Sequence, residues 1–196
     1  MKSFGVALII VLSCVFGRVV AEQSDREAIV HVQIETGHGN IIVALDRKKA
    51  PASVENFLTY MRSGHYNRTL IHRVVPGFVI QGGGYSKYFR LRAVREPVAY
   101  EGDNGLKNIR GTIAMARGVH RDSADAQWYI NLRDNSDLDH RIFENAPLYG
   151  YTVFGHVISG MDVADAIGAV ATGPGGEFET EAPLEPIIVT RIDFTQ

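Results

Sequence analysis

Ile71-His72-Arg73-Val74-Val75-Pro76-Gly77-Phe78-Val79-Ile80-Gln81-Gly82-Gly83-Gly84 is the stretch from which the rest of the chain can be read. Two β-rich runs, 70–75 and 78–81, flank Pro76-Gly77, a dipeptide that favours a tight turn, so the stretch reads as a strand, a turn and a second strand. That arrangement puts Arg73 and Gln81 on neighbouring segments with Phe78 close by. Two-residue alternation sets Arg73 on one face with Ile71 and Val75, and Phe78 on a face with Ile80. From these residues alone two readings stay open. One is a cationic donor beside an aromatic wall, forming a binding site. The other is a surface Arg lying over a ring, a common contact worth little. Gly82-Gly83-Gly84 reads as a bend with close backbone approach, opening an irregular stretch to about Asn108. No Lys-Ser or Lys-Thr follows it, so it is not a phosphate-binding loop.

Working outward, Ile29-Val30-His31-Val32-Gln33-Ile34 and Ile41-Ile42-Val43-Ala44-Leu45 bracket the turn cluster Gly37-His38-Gly39-Asn40 and predict a hairpin. Val54, Phe57, Leu58 and Met61 recur at helical spacing. Pro51 suits the first turn and Gly64 the position past the end, so 51–64 predicts the first helix. Short strands are expected at 113–116, 127–131 and 152–158. Ser159 and Asp162 have capping-box spacing ahead of a short second helix carrying Val163, Ala166 and Ile167 and ending near Gly168. The segment 172–186, rich in Gly, Pro and Glu, reads as a surface loop before a last strand at Ile187–Phe194. Many short strands, two helices and no βαβ rhythm predict a mainly-β antiparallel barrel or sandwich.

The 196 residues, 45% hydrophobic and 21% charged, predict one globular domain. A net charge of −2 argues against a nucleic-acid partner. The N-terminus differs from the rest. Lys2, an apolar run over 4–16 and the small residues Val19-Val20-Ala21 predict a signal peptide, 1–21, cleaved after Ala21, and no stable membrane insertion. A retained anchor, favoured by Arg18, and lipidation at Cys14 are the alternatives. Residues 22–27 read as a flexible lead-in and 28–196 as the domain.

Other chemistries find little support. Cys14 is the one cysteine, and it leaves with the signal, so neither an internal disulfide nor a cysteine nucleophile is expected. No two of the seven histidines stand four apart as on a zinc-binding helix, and no metal is expected. There is no Gly-x-Ser-x-Gly elbow. Lys87, Arg90, Arg92 and Arg95 read as a solvated loop face, and Asn67-Arg68-Thr69 as a weak glycosylation acceptor.

Several ordered blocks carry a likeness that reaches across 28–196. The opening run resembles the signature of the cyclophilin family of peptidyl-prolyl cis-trans isomerases. Gly111-Thr112-Ile113-Ala114-Met115-Ala116-Arg117, the block from Asp122 to Asn131, and Tyr151-Thr152-Val153-Phe154-Gly155-His156-Val157 resemble later segments of the same family. Glu101-Gly102-Asp103-Asn104-Gly105-Leu106 and the export signal look most like its bacterial periplasmic branch, which implies a periplasmic location. The resemblance implies an eight-stranded antiparallel closed β-barrel with two capping α-helices, no cofactor, proline-containing unfolded or partly folded polypeptides as partners, and a monomer.

It also implies roles. Arg73 would donate a hydrogen bond to the prolyl nitrogen, Gln81 would hold the substrate backbone and orient Arg73, and Phe78 completes the catalytic set. Val79, Tyr129 and Leu138 join Phe78 in a cup for the proline ring. Ala116 and the backbone of Arg117 would grip the preceding residue, and Tyr151, where many relatives carry His, would bond the chain at the rim. Departures from the family pattern are Trp128 and Tyr129 for Phe, Val79 for Met, and Asp137 for an aromatic. Asp137 is expected beside the groove, with weak cyclosporin binding as a consequence. The insertion-like stretch 141–148 would reshape the rim. A low-turnover chaperone or binding module for proline-containing segments is the alternative function.

Overall fold

A computed structural model describes residues 28–195. The expected signal peptide and lead-in lie outside these residues. The chain runs β1 (Ile29–Thr36), β2 (Gly39–Asp46), α1 (Pro51–Arg62), β3 (Thr69–Val75), β4 (Val79–Ser86), β5 (Thr112–Met115), β6 (Trp128–Asn131), β7 (Arg141–Phe143), β8 (Ala146–Leu148), β9 (Val153–Ser159), α2 (Met161–Gly168), β10 (Thr172–Gly175), β11 (Phe178–Pro183) and β12 (Ile187–Phe194). Eight strands close a barrel in the order β1-β12-β3-β4-β6-β5-β9-β2, and β7-β8 and β10-β11 form two separate hairpins. All eight barrel pairings are antiparallel.

Alternation sorts the strand residues into two environments. Val32, Ile34, Ile41, Val43, Leu45, Ile80, Ile113, Trp128 and Ile130 face one main core. The apolar stripe of α1, with Val54, Phe57, Leu58 and Met61, and Ala164 and Ile167 of α2 join that core. Closure gives every barrel strand two hydrogen-bonded neighbours, so none is left as a raw edge. No helix among the described residues is long and apolar enough to cross a membrane.

Five local expectations need correction. The triple glycine does not break the strand: β4 continues to Ser86 because Gly82–Gly84 let its backbone lie against Trp128. A Cβ on Gly83 (φ +91°) would come within 2.7 Å of the Ala126 carbonyl and 3.0 Å of the Trp128 ring. Alternation also fails along β3. Ile71 pairs with Gly82 and Arg73 with Gln81, so two steps on β3 oppose one on β4. This bulge at His72 changes the parity, leaving Ile71 in the core while Arg73 turns outward. Phe78 likewise lies apart from Ile80: it sits in the turn before β4 and packs outside the main core. At α2 the cap is Gly160 in the left-handed region (φ 83°), with no side-chain bond from Ser159. Finally, 172–186 is not a bare loop, since it contains the hairpin β10-β11.

Candidate active site

One row of paired residues crosses the barrel wall. Arg73 on β3 pairs with Gln81 on β4, Gln81 with Tyr129 on β6, Tyr129 with Ala114 on β5, and Ala114 with Val153 on β9. Their alternation neighbours fill the main core, so this row belongs to the opposite face of the wall. There Val79, Ala114, Tyr129 and Val153 form a second, smaller apolar cluster, against which Phe78, Leu106, Ala116, Leu138 and Tyr151 pack. The hollow above it, about 190 Å³, is lined by Arg73, Phe78, Val79, Gln81, Ala116, Arg117, Tyr129, Leu138 and Tyr151. These are the nine residues expected from the sequence, brought together from five regions of the chain. The volume falls below the roughly 300–1,000 Å³ of drug-sized ligand sites and suits a single small ring.

Each wall is held by its own bonds. The Phe78 carbonyl accepts from Leu132 N–H (2.9 Å) and Asn135 Nδ2 (3.1 Å). The Leu138 carbonyl accepts from Tyr151 N–H (2.9 Å) and Asn108 Nδ2 (3.0 Å), tying the two rim residues together. The Tyr129 ring meets Tyr151 edge-on at 5.8 Å. Its hydroxyl, pushed well above the ordinary phenol range by burial, donates to Asn108 Oδ1 at 2.7 Å. The Arg117 guanidinium is committed to the rim. It bonds the carbonyls of Gly150 (2.8 Å), Gly118 (2.9 Å), Val119 (3.3 Å) and Tyr149, and lies 4.9 Å from the Tyr151 ring centroid.

Arg73 is the one cation of the lining whose side chain is bound to other side chains. Its Nη1 donates to Gln81 Oε1 at 3.3 Å, and Gln81 Nε2 donates on to Gln127 Oε1 at 3.0 Å. Its Nε donates to Glu181 Oε2 at 2.5 Å and Nη2 to Glu181 Oε1 at 3.3 Å. The arrangement presents a fixed, permanently charged donor at the edge of an apolar cup. A second hollow of about 210 Å³ shares Gln81, Ala116 and Arg117 with the first and adds Asp125 and Gln127.

A family model described as cyclophilin-type peptidyl-prolyl cis-trans isomerase matches residues 31–193. The chain belongs to the cyclophilin family. Peptidyl-prolyl isomerisation is therefore its enzyme activity, and proline-containing peptides are its substrates. Among curated cyclophilins, peptidyl-prolyl cis-trans isomerase A of Dickeya dadantii is 49% identical over 159 residues, 81% of each chain. Peptidyl-prolyl cis-trans isomerase B of Escherichia coli is 44% identical over 165 residues, 84% of this chain and 99% of that one. The fold is also that of the cyclophilin AquaCyp293 from Hirschia baltica, with a TM-score of 0.67 at 21% identity, covering 88% of this chain and 78% of that one.

Within this cyclophilin frame, Asp137 stands beside the cup, next to Leu138 of its lining, but adds no carboxylate to it. Its side chain is 92% exposed and pairs with Arg141 at 3.0 Å, four residues on, instead of entering the groove. Residues 141–148 form the hairpin β7-β8, and none of them lines the cup. Gln127, Asn108 and Glu181 escaped the sequence reading. Gln127 flanks a strand and had a weak signal, as a polar residue next to Trp128. Asn108 and Glu181 had none, because each lies in irregular sequence and reaches the site only through long-range packing.

Proposed function

We propose that the protein accelerates X–Pro rotation in exported polypeptides as they fold, with Arg73 as the donor that favours the twisted state. The planar peptide carries a barrier of about 18–20 kcal/mol because the nitrogen lone pair is delocalised into the carbonyl. Uncatalysed prolyl exchange consequently takes roughly 10–100 s. In the twisted state that lone pair is localised on a pyramidal nitrogen and becomes a hydrogen-bond acceptor. An N–H aimed at it binds the transition state better than either planar isomer, and each 1.36 kcal/mol of that preference is about tenfold in rate. Beside an apolar cup such a donor is worth more than in water.

The observation that carries the reading is Arg73 at the edge of the cup formed by Phe78, Val79, Tyr129 and Leu138. The cup takes the proline ring, Gln81 holds the neighbouring backbone, and Ala116 with the Arg117 backbone receives the preceding residue. Tyr151 closes the rim. Export to the periplasm is supported by the apolar run 4–16 followed by Val19-Val20-Ala21. Weak cyclosporin binding is supported by Asp137 standing in place of an aromatic. The test is exchange of a short Ala-Pro peptide with and without the protein. Acceleration at catalytic concentration supports the reading, and exchange at the spontaneous rate overturns it.

A second reading, a holdase for proline-containing segments, is favoured by the hairpin β7-β8. Ile142 (65% exposed) and Phe143 (57% exposed) stand in solvent on a hairpin that leaves and re-enters the pocket rim between Leu138 and Tyr151. Raised refolding yield of a proline-containing client without faster prolyl exchange, lost in the Ile142→Ser/Phe143→Ser variant, supports it. Unchanged yield removes it.

A further inference from the structure

We infer that Glu181 is a positioning residue for the isomerase reaction: it grips Arg73 by one edge of the guanidinium and leaves the other edge for the substrate. The inference rests on the proposed role of Arg73.

The geometry divides the five N–H donors of Arg73. Nε–H and one N–H of Nη2 go to the Glu181 carboxylate, at 2.5 and 3.3 Å. One N–H of Nη1 goes to Gln81 at 3.3 Å. Two N–H groups, one on each terminal nitrogen, remain for a substrate. A side-on carboxylate fixes the plane of the guanidinium as well as its place, which Gln81 with a single long bond does not. Arg73 has four rotatable bonds and is 26% exposed, so without this partner its head would sample several rotamers above the cup.

Glu181 arrives from 108 residues away, and its hairpin does not need the ion pair to stay in place. Phe178 packs on His72 at 5.3 Å and on Tyr85 at 5.4 Å, and the Tyr85 hydroxyl donates to Glu177. Ala182 and Pro183 are buried next to Glu181. The hairpin is thus anchored by apolar contacts, and the carboxylate it carries is free to serve Arg73. Loss of that carboxylate should spread the donor over unproductive orientations, lowering turnover while the cup that binds proline stays intact.

The experiment compares the wild-type protein with Glu181→Ala, Glu181→Gln and Arg73→Ala on one Ala-Pro peptide, separating kcat from KM by exchange NMR. The Arg73 Nε–H resonance is followed in the same samples. Glu181→Ala should lower kcat about tenfold with KM within about twofold, the signature of an interaction that matters in the transition state. Glu181→Gln, which keeps one acceptor for Nε–H, should recover most of that loss. The Nε–H signal should be protected from water exchange in the wild type, weakly protected in Glu181→Gln and unprotected in Glu181→Ala. Unchanged or raised kcat in folded Glu181→Ala overturns the inference, as does a loss confined to KM. Should Glu181→Ala fail to fold, the Gln variant decides by the same resonance: protection no greater than that of an arginine in a short unfolded peptide, or wild-type kcat without protection, overturns it. If Arg73→Ala itself exchanges the peptide at the wild-type rate, the Arg73 reading fails first and takes this inference with it.

Discussion

Tyr129 carries a hydroxyl into the wall of an otherwise apolar cup, where an unpartnered polar group would be destabilising. Asn108 Oδ1 resolves this by accepting the proton at 2.7 Å, and the same oxygen accepts from Asn131 Nδ2 at 3.2 Å. Tyr129→Phe removes one of two donors to that oxygen and leaves the ring in place. It should cost about 0.5–1.5 kcal/mol in urea unfolding while peptide exchange stays within about twofold of wild type. His72 gives a second prediction at this scale. It is fully buried in the β3 bulge, between Tyr85 and Phe178. The Leu70 backbone and the Gln127 side chain lie near its ring, yet neither ring nitrogen completes a hydrogen bond. Burial pulls its pKa from 6.5 down to about 4. Between those values the unfolded chain binds the extra proton and the folded one does not. Stability is therefore full above about pH 6.5 and falls with pH through that window, by about 3 kcal/mol at pH 4 from this residue. Urea unfolding from pH 7.5 to 4.5 should show the decline, and His72→Phe should flatten it. Among individual residues, the spacing around Pro76-Gly77 made Arg73 and Gln81 legible as neighbours. The cup itself was legible only through likeness to a family. Asn108 and Glu181 were invisible and Gln127 nearly so, since little that is local distinguishes a surface polar residue from one that long-range packing brings to a site.

Among the elements, the sequence reading placed both helices and every barrel strand but β4, which runs five residues further to Ser86, within a residue or two of their ends, because period-2 and helical apolar patterns are local. It misjudged what lies between them. The bulge at His72 reverses the side-chain alternation of β3 and aims Arg73 at the cup, and a bulge leaves no mark in hydrophobicity. The hairpin β10-β11 was hidden by its Gly, Pro and Glu content. Helix α1 shows the same long-range logic at its start. Ala50 offers no side-chain cap. Instead the Glu101 carboxylate accepts from the N–H groups of Ala52 and Ser53, both at 2.9 Å, and from Ser53 Oγ at 2.8 Å. It supplies both the missing acceptor and a negative charge at the positive end of the helix. Glu101→Ala should destabilise the protein by about 1–2 kcal/mol in urea unfolding, and an unchanged midpoint would mean that water serves as well as the carboxylate.

As a whole molecule, the protein is a closed barrel whose interior and working face are separated by one layer of strand. The alternation that fills the core with Ile80, Ile113 and Ile130 also sets Gln81, Tyr129 and Ala114 on the pocket side. Both helices share that single core, so the barrel and its caps should unfold together. Trp128, the sole tryptophan, is fully buried in the core and reports on it directly. Its fluorescence and the far-ultraviolet circular dichroism should give coincident urea transitions, and two separated midpoints would show a helix melting apart from the barrel. The mainly-β class was legible from the many short strands, and closure followed from the family likeness. The central claim is that Arg73, at the edge of the cup, favours the twisted prolyl bond. Its most direct test is the exchange rate of an Ala-Pro peptide with wild type and Arg73→Ala, each shown to be folded and to bind the peptide. The account predicts a fall of about 10²–10³-fold in kcat/KM with binding retained. Wild-type exchange by the variant would contradict it.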